Sequence, residues 1–138
     1  MAPPAQSPQR RQRPLINRLF VYGTLMPEHE AWPVLARWTV GAPRRDAVKG
    51  VLFDTGRGYP CATFTIDTER EGSELVHGVV VDLDPIRLPE ALAALDAYEA
   101  SEYDRIVVRT ESGEDAHTYV WVAALDDCDP VAGGRWPG

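Results

Sequence analysis

The sequence predicts a strand-rich α+β domain with one main helix and a closed or nearly closed sheet. Short apolar, β-prone runs recur along the chain and are punctuated by Gly and Pro. One stretch, residues 89–99, has a convincing helical pattern. Of the 138 residues, 44% are hydrophobic, which is enough for one core. Because closing a sheet removes its exposed edges, many short strands in a chain of this size favour a barrel-like arrangement.

Seven runs have the composition and alternation of strands. They cover residues 19–22, 37–40, 47–53, 61–66, 75–83, 105–110 and 117–122. Polar residues 111–114 separate the last two runs and predict a β-hairpin. A short helix is predicted over residues 30–37, interrupted near Pro33, and Pro89 fits the first turn of the main helix.

The first 16 residues differ from the rest in composition. They are rich in Pro, Gln and Arg and carry no apolar pattern, which predicts a disordered N-terminal extension over residues 1–16. Residues 17–138 show no repeat and no linker, so we expect them to form a single domain. Four Arg and no acidic residue lie within residues 1–27. An RNA- or membrane-binding arm would share this charge, but it is more often that of a solvated tail.

Composition argues against several classes of function. The net charge of −7 disfavours sequence-independent nucleic-acid binding, which needs a basic surface. No apolar stretch reaches the roughly 18 residues needed to span a membrane, and the N-terminus lacks the apolar region of a signal peptide. Cys61 and Cys128 form no CxxC pair and indicate no disulfide framework. We therefore expect a cytoplasmic protein with no nucleic-acid or membrane partner.

An acidic residue falls on the apolar face of the predicted main helix. Leu88, Leu92 and Leu95 mark the face turned to the core, and Glu99 is the next position on it. Burial there and the negative end of the helix dipole would both raise the pKa of this carboxyl. A carboxyl poised near neutrality can take up and return a proton at pH 7. Alternatively, the helix frays before Glu99 and the side chain faces water.

The first strand runs into a glycine turn at residues 22–25. Gly23 would allow successive N–H groups to converge on one point, and such a nest binds a carboxylate or an oxyanion. The segment has neither the phosphate-loop pattern nor the dinucleotide GxGxxG pattern. A plain tight turn would have a similar sequence, so the segment alone leaves both interpretations open.

Two segments of the chain carry motifs that occur together in one known family. Tyr22-Gly23-Thr24-Leu25 has the pattern Y-G-[ST]-L. Residues 95–99 (Leu-Asp-Ala-Tyr-Glu), followed by Tyr103 and Arg105, have the pattern L-D-x-[YF]-E…[YF]-x-R. These motifs resemble those of the γ-glutamylcyclotransferase-like family, of the AIG2-like or γ-glutamylamine cyclotransferase type. Shorter matching stretches at 49–53, 58–60, 77–80 and 134–136 extend the resemblance over about residues 18–136.

The chain departs from the family pattern at three positions. Thr24 replaces the commoner Ser, which keeps the hydroxyl. Ala100 stands where Gly often follows the glutamate. Arg135 stands where Asp is usual, so any role of an acid at that position is open.

The resemblance implies a fold and a site. Family members adopt a small mixed β-barrel flanked by one main helix and one or two short helices. Carried over to this chain, Glu99 would be the catalytic base and acid. The γ-glutamyl pocket would be lined, largely through backbone groups, by Tyr22, Gly23, Thr24 and Leu25, and bordered by Tyr59 and Tyr103.

The resemblance also implies a reaction. The α-amine of a γ-glutamyl group attacks its own γ-carbonyl, 5-oxoproline forms, and the attached amine leaves. This reaction needs neither a metal nor a cofactor, and His29, His77 and His117 are scattered rather than clustered as metal ligands are. The expected partner is a small-molecule γ-glutamyl substrate, and the expected assembly is a monomer or a weak homodimer.

Several alternatives stay open. Tyr103 and Arg105 could contact the α-carboxylate of the substrate, or Tyr103 could pack in the barrel while Arg105 faces solvent. Tyr59 could border the pocket or belong only to a turn. The protein could be a non-catalytic module that binds a small molecule or a protein, or a γ-glutamyl hydrolase that uses Glu99 to activate water. The sequence does not identify the amine that leaves.

Overall fold

The computed structural model describes residues 15–65 and 74–137. Its elements in chain order are β1 (Arg18–Val21), α1 (Trp32–Ala36), β2 (Thr39–Asp54), β3 (Pro60–Phe64), β4 (Leu75–Leu83), α2 (Leu88–Glu99), β5 (Tyr103–Arg109), β6 (Asp115–Trp121) and β7 (Asp129–Pro130). Two 3-10 turns cover Pro85–Arg87 and Ala132–Gly134. Residues 1–14 of the predicted extension, and residue 66 of a predicted strand, lie outside the described residues.

Within the described residues, the strands form one mixed sheet. Its order is β3-β2-β4-β1-β6-β5, and β7 pairs with β2 off this path. β1 and β6 run parallel, whereas the other neighbours along the order run antiparallel. β3 also lies beside β6, so the sheet curls into a half-barrel. The predicted fold class, a small mixed barrel-like sheet with one main helix, is confirmed.

Two breaks expected from the sequence, one between residues 40 and 47 and one near Pro33, lie inside elements of the structure. Residues 39–40 of the first predicted run and all of run 47–53 belong to one strand, β2, so their separation was wrong; residues 37–38 lie before the strand. The register against β4 shifts between Val40 and Arg44, and Gly41, at φ +72°, permits this irregularity. Pro33 lies in the first turn of α1, where its missing N–H costs nothing, so it begins this helix rather than interrupting it.

β1 is buried on both of its faces. Leu19 and Val21 belong to an apolar cluster that includes residues of α2 and Leu35 of α1. Phe20 points the other way, into a second cluster with residues of β2, β3 and β4. Burial on both sides explains why β1 is a continuous apolar run rather than an alternating one.

The two cysteines lie in β3 and in the segment between β6 and β7. Cys61 is fully buried and Cys128 partly buried, and both are free thiols. Burial raises the pKa of Cys61 to about 12, so that thiol stays protonated.

No helix in the described part of the chain is long and apolar enough to cross a membrane.

Gly78 of β4 allows β4 to approach β1 closely. A Cβ added to Gly78 would fall on the carbonyl oxygen of Val21, and it would lie 3.0 Å from Cζ of Phe20. Val21 directly precedes the 22–25 turn. The absence of a side chain at Gly78 therefore helps to set where that turn lies.

Replacing Gly78 by Ala should destabilise the fold, because the new Cβ would push β4 away from β1. Overpacking of this kind typically costs about 1–3 kcal/mol, and a clash with backbone should lie in the upper part of that range. Denaturant unfolding measures the loss. Gly56→Ala is the control, because Gly56 has φ +78° but nothing within 4 Å of an added Cβ. A Gly78→Ala variant that is no less stable than Gly56→Ala would contradict the packing.

Candidate active site

A cavity of about 480 Å³ lies at the end of β1. Its wall is built from the 22–25 turn, residues 57–60, the end of α2 with the chain that leaves it, and side chains of β5 and β6. Seven residues that the family resemblance assigns to the site all line it: Glu99, Tyr22, Gly23, Thr24, Leu25, Tyr59 and Tyr103. The fold therefore brings together segments that are more than 70 residues apart in the chain.

The 22–25 turn offers backbone donors to the cavity wall. The carbonyls of Gly23 and Thr24 accept hydrogen bonds from the N–H groups of Met26 and Ala31, each at 3.0 Å. Within the described residues, the N–H groups of Gly23, Thr24 and Leu25 have no acceptor of their own. Successive unpaired N–H groups are a suitable binding site for an anion or an oxyanion.

Gly23 is required by close packing in the cavity wall. A Cβ added to Gly23 would lie 2.7 Å from Cγ and 2.9 Å from Cδ of Pro60. Without a side chain at Gly23, the ring of Pro60 can pack against the turn. Residues 57–60 thus lie close to the turn and form the wall beside it.

Glu99 is the last residue of α2, and the helix reaches it without fraying. Leu88, Ala91 and Leu95 are buried, Leu92 is half-buried, and Glu99 continues this face into the cavity wall. Within the described residues its carboxylate has no hydrogen-bond partner. Burial raises its pKa from 4.5 to about 7. The carboxyl can therefore exchange a proton near neutral pH.

The chain leaves α2 through a strained residue. Ala100 has φ +66° and ψ −165°, a region occupied almost exclusively by Gly. Its N–H donates to the carbonyl oxygen of Asp96 at 3.1 Å and closes the helix. Gly, which often occupies this position in the family pattern, would adopt this backbone conformation without strain.

Three tyrosine hydroxyls at the cavity already donate hydrogen bonds within the protein. Tyr22 donates to the carbonyl oxygen of Tyr119 at 2.6 Å, and Tyr103 donates to that of Pro60 at 2.7 Å. Tyr119 donates to Oδ1 of Asp96 at 2.7 Å. Burial raises the pKa of each tyrosine well above its ordinary value, so all three stay protonated at neutral pH.

Arg105 is exposed, as one of the two alternatives from the sequence had it, and it does not line the cavity. Its Nε and Nη2 donate to the two carboxylate oxygens of Asp96 at 2.9 and 3.2 Å. The pair lies in a separate shallow cleft, and Arg105 holds the pKa of Asp96 below its ordinary value. Because Tyr119 donates to the same carboxylate, the pair ties α2 to β5 and β6 one turn before Glu99.

Sequence reasoning missed several residues of the cavity wall. Tyr119 fell within the predicted strand 117–122 and was not assigned to the site, and Glu30 fell within the predicted helix over residues 30–37. Arg57 and Tyr98 also line the cavity. The histidines do not, and within the described residues no three His, Cys, Asp or Glu side chains group as metal ligands would. Tyr98 lies within the 95–99 motif, which could have pointed to it. Local sequence holds no signal for Glu30, Arg57 and Tyr119, because contacts between distant parts of the chain bring them to the cavity.

Comparison with known proteins identifies the family. The model of the family described as gamma-glutamyl cyclotransferase, AIG2-like, matches residues 19–138. The chain therefore belongs to this family, as its motifs predicted. No curated protein sequence matches the chain.

Solved structures share the fold. YkqA from Bacillus subtilis is 26% identical with a TM-score of 0.64; the match covers 88% of this chain but 40% of YkqA. The solution structure of ytfP from Escherichia coli is 28% identical with a TM-score of 0.56, covering 86% of this chain and 95% of that one. An AIG2-like protein from Mus musculus, at 20% identity and a TM-score of 0.55, covers 79% and 78%. That last likeness concerns the fold alone.

The raised pKa of Glu99 should make stability fall as the pH rises. The folded state favours the protonated carboxyl, so its contribution is complete below about pH 4.5 and is lost as the pH rises through about 7. The full loss is about 3 kcal/mol. The free energy of unfolding is measured with denaturant at pH 4.5 and at pH 8. Relative to wild type, Glu99→Gln should be more stable at pH 8 than at pH 4.5 by about 3 kcal/mol.

The matched control is Glu90→Gln, which changes an acid in the first turn of the same helix. Its stability difference from wild type at each pH is the baseline for removing one acid from this helix. A Glu99→Gln difference that is independent of pH would contradict the raised pKa.

Proposed function

We propose that the protein is a γ-glutamyl cyclotransferase that converts a γ-glutamyl amide into 5-oxoproline and a free amine. The observation that carries the proposal is Glu99: a largely buried carboxyl with a pKa of about 7, in the same cavity wall as unpaired N–H groups of the 22–25 turn. Membership of the family supports the same reaction. The substrate would be a small molecule, and we expect the protein to work in the cytoplasm.

In the proposed reaction Glu99 moves one proton twice. The α-amine of the γ-glutamyl group attacks its own γ-carbonyl carbon and passes a proton to the ionised carboxylate of Glu99. The bond between that carbon and the leaving nitrogen then breaks, and Glu99 returns the proton to the departing amine. Proton transfer by a positioned group typically accelerates a reaction by about 10²–10⁴-fold. A carboxyl whose pKa is near 7 suits both directions of transfer.

The 22–25 turn would stabilise the charge that develops on the carbonyl oxygen. The N–H groups of Gly23, Thr24 and Leu25 are the available donors. Losing one such donor typically costs about 3 kcal/mol of transition-state stabilisation. The rings of Tyr59 and Tyr103 would form the walls that hold the glutamyl chain in a ring-ready shape.

Replacing Glu99 by Gln should lower the rate of 5-oxoproline release at least 10²-fold, because the amide cannot carry the proton. The measurement is chromatography of products formed from a panel of γ-glutamyl amides. Glu90→Gln serves as the control with unchanged activity, and circular dichroism checks that both variants fold.

Each contrary outcome would indicate a different function for the protein or a different role for Glu99. An unchanged rate in Glu99→Gln would overturn the role of Glu99. Free glutamate in place of 5-oxoproline would show a hydrolase that activates water. Binding of γ-glutamyl compounds without any turnover would show a non-catalytic binding module.

A further inference from the structure

Tyr119 of β6 is hydrogen-bonded to two separate parts of the candidate active site. Its carbonyl oxygen accepts from the hydroxyl of Tyr22, the first residue of the 22–25 turn, at 2.6 Å. Its own hydroxyl donates to Oδ1 of Asp96 on α2 at 2.7 Å. Asp96 lies about one helical turn before Glu99. One residue therefore connects the turn, with its unpaired N–H groups, to the helix that carries Glu99.

Tyr119 is itself held in one position. It is only 5% exposed, and it packs in the apolar cluster that contains Leu25 of the turn and Leu95 of α2. Its backbone lies in the β5–β6 ladder, opposite Arg105. Because its ring, hydroxyl and carbonyl are all engaged, its side chain cannot change rotamer without losing both packing and a hydrogen bond.

The acceptor on α2 is fixed as well. Arg105 of β5 pairs with both carboxylate oxygens of Asp96. Nη1 of Arg105 also lies 3.2 Å from Nδ1 of His117, and that nitrogen must be the acceptor, because a guanidinium can only donate. Arg105 is thus held from β6, and Asp96 with it. The hydroxyl of Tyr119 therefore donates to a carboxylate that has little freedom to move.

The proposed reaction depends on the separation that these contacts set. Glu99 must reach the α-amine of the substrate while the γ-carbonyl oxygen lies at the N–H groups of the 22–25 turn. Both groups belong to one short glutamyl chain, so the substrate dictates how far apart the base and the N–H donors must be. A misplacement of about 1 Å between such groups can cost about 10²-fold in rate.

We propose that Tyr119 is a positioning residue, which acts through Asp96 to set the separation between Glu99 and the N–H groups of the 22–25 turn. Its hydroxyl is engaged with Asp96, so it acts through that carboxylate and not on the substrate. Such a role depends on one hydroxyl and one carboxylate, whereas a role in packing would depend on the ring. This inference rests on the proposed cyclotransferase function.

Tyr119→Phe tests the inference, because it removes the hydroxyl and keeps the ring. We expect kcat for 5-oxoproline release to fall by roughly 10- to 100-fold, since Glu99 is misplaced, while KM stays close to the wild-type value. The matched control is Thr118→Val, on the neighbouring residue of β6. Its hydroxyl donates to the carbonyl oxygen of Phe20 at 2.9 Å, and Thr118 does not line the cavity. This control should keep the wild-type kcat.

A double-mutant cycle tests whether Tyr119 acts through Asp96. Asp96→Ala removes the acceptor of the hydroxyl and should itself lower kcat. In that background Tyr119→Phe should lower kcat no further, because the contact that it breaks is already absent. Two effects that multiply would overturn the proposed route through Asp96.

The titration of the Glu99 carboxyl, followed by ¹³C NMR, provides a readout that does not depend on turnover. Without the contact between Tyr119 and Asp96, the end of α2 is less restrained and water can reach the carboxyl. The Glu99 midpoint in Tyr119→Phe should therefore fall from the wild-type value toward 4.5. In Thr118→Val the midpoint should not move.

The outcomes separate failure of the inference from failure of the function. Wild-type release of 5-oxoproline together with an unchanged kcat in Tyr119→Phe would overturn the inference and leave the cyclotransferase in place. No 5-oxoproline from the wild-type protein would overturn the proposed function. The Glu99 midpoint in Tyr119→Phe would then decide by itself whether Tyr119 holds Glu99 in place, and an unchanged midpoint would show that it does not.

Discussion

The pairing of β1 with β4 on one side and β6 on the other is the constraint on which the site depends. Because β1 is buried on both faces, its end is held firmly, and the turn that follows inherits that position. Gly78 allows β4 to lie close, and Gly23 allows Pro60 to pack over the turn. Distant segments are thereby arranged around one fixed set of backbone N–H groups.

Glu99 lowers the stability of the folded protein in this arrangement. The buried leucines of α2 carry it into the cavity wall, where its carboxyl loses hydration without gaining a hydrogen bond from the described residues. An apolar side chain would stabilise the same position better. Ala100, in a backbone region that favours Gly, adds strain directly after it. Buried acids and strained backbone are both characteristic of functional sites, which is why stability is given up here.

The sequence was sufficient for features that depend on local pattern. Helical phase alone placed Glu99 on the buried face of α2, and the β-prone run before Gly23 identified the first strand. Local pattern predicted a break near Gly41. In the structure, pairing with β4 continues as one strand through an irregularity at this point. It could not find Tyr119, whose carbonyl meets Tyr22 across 97 positions of the chain. Such contacts depend on strand order, which propensity does not encode.

The central claim is that Glu99 titrates near neutrality in the folded protein. A ¹³C NMR titration of the glutamate side-chain carboxyl carbons measures this directly, with Glu99→Gln identifying the resonance by its disappearance. We predict a midpoint of about pH 7 for Glu99. A midpoint near the ordinary value of 4.5 would show that the carboxyl is hydrated or paired in solution, and would contradict its role as the proton carrier.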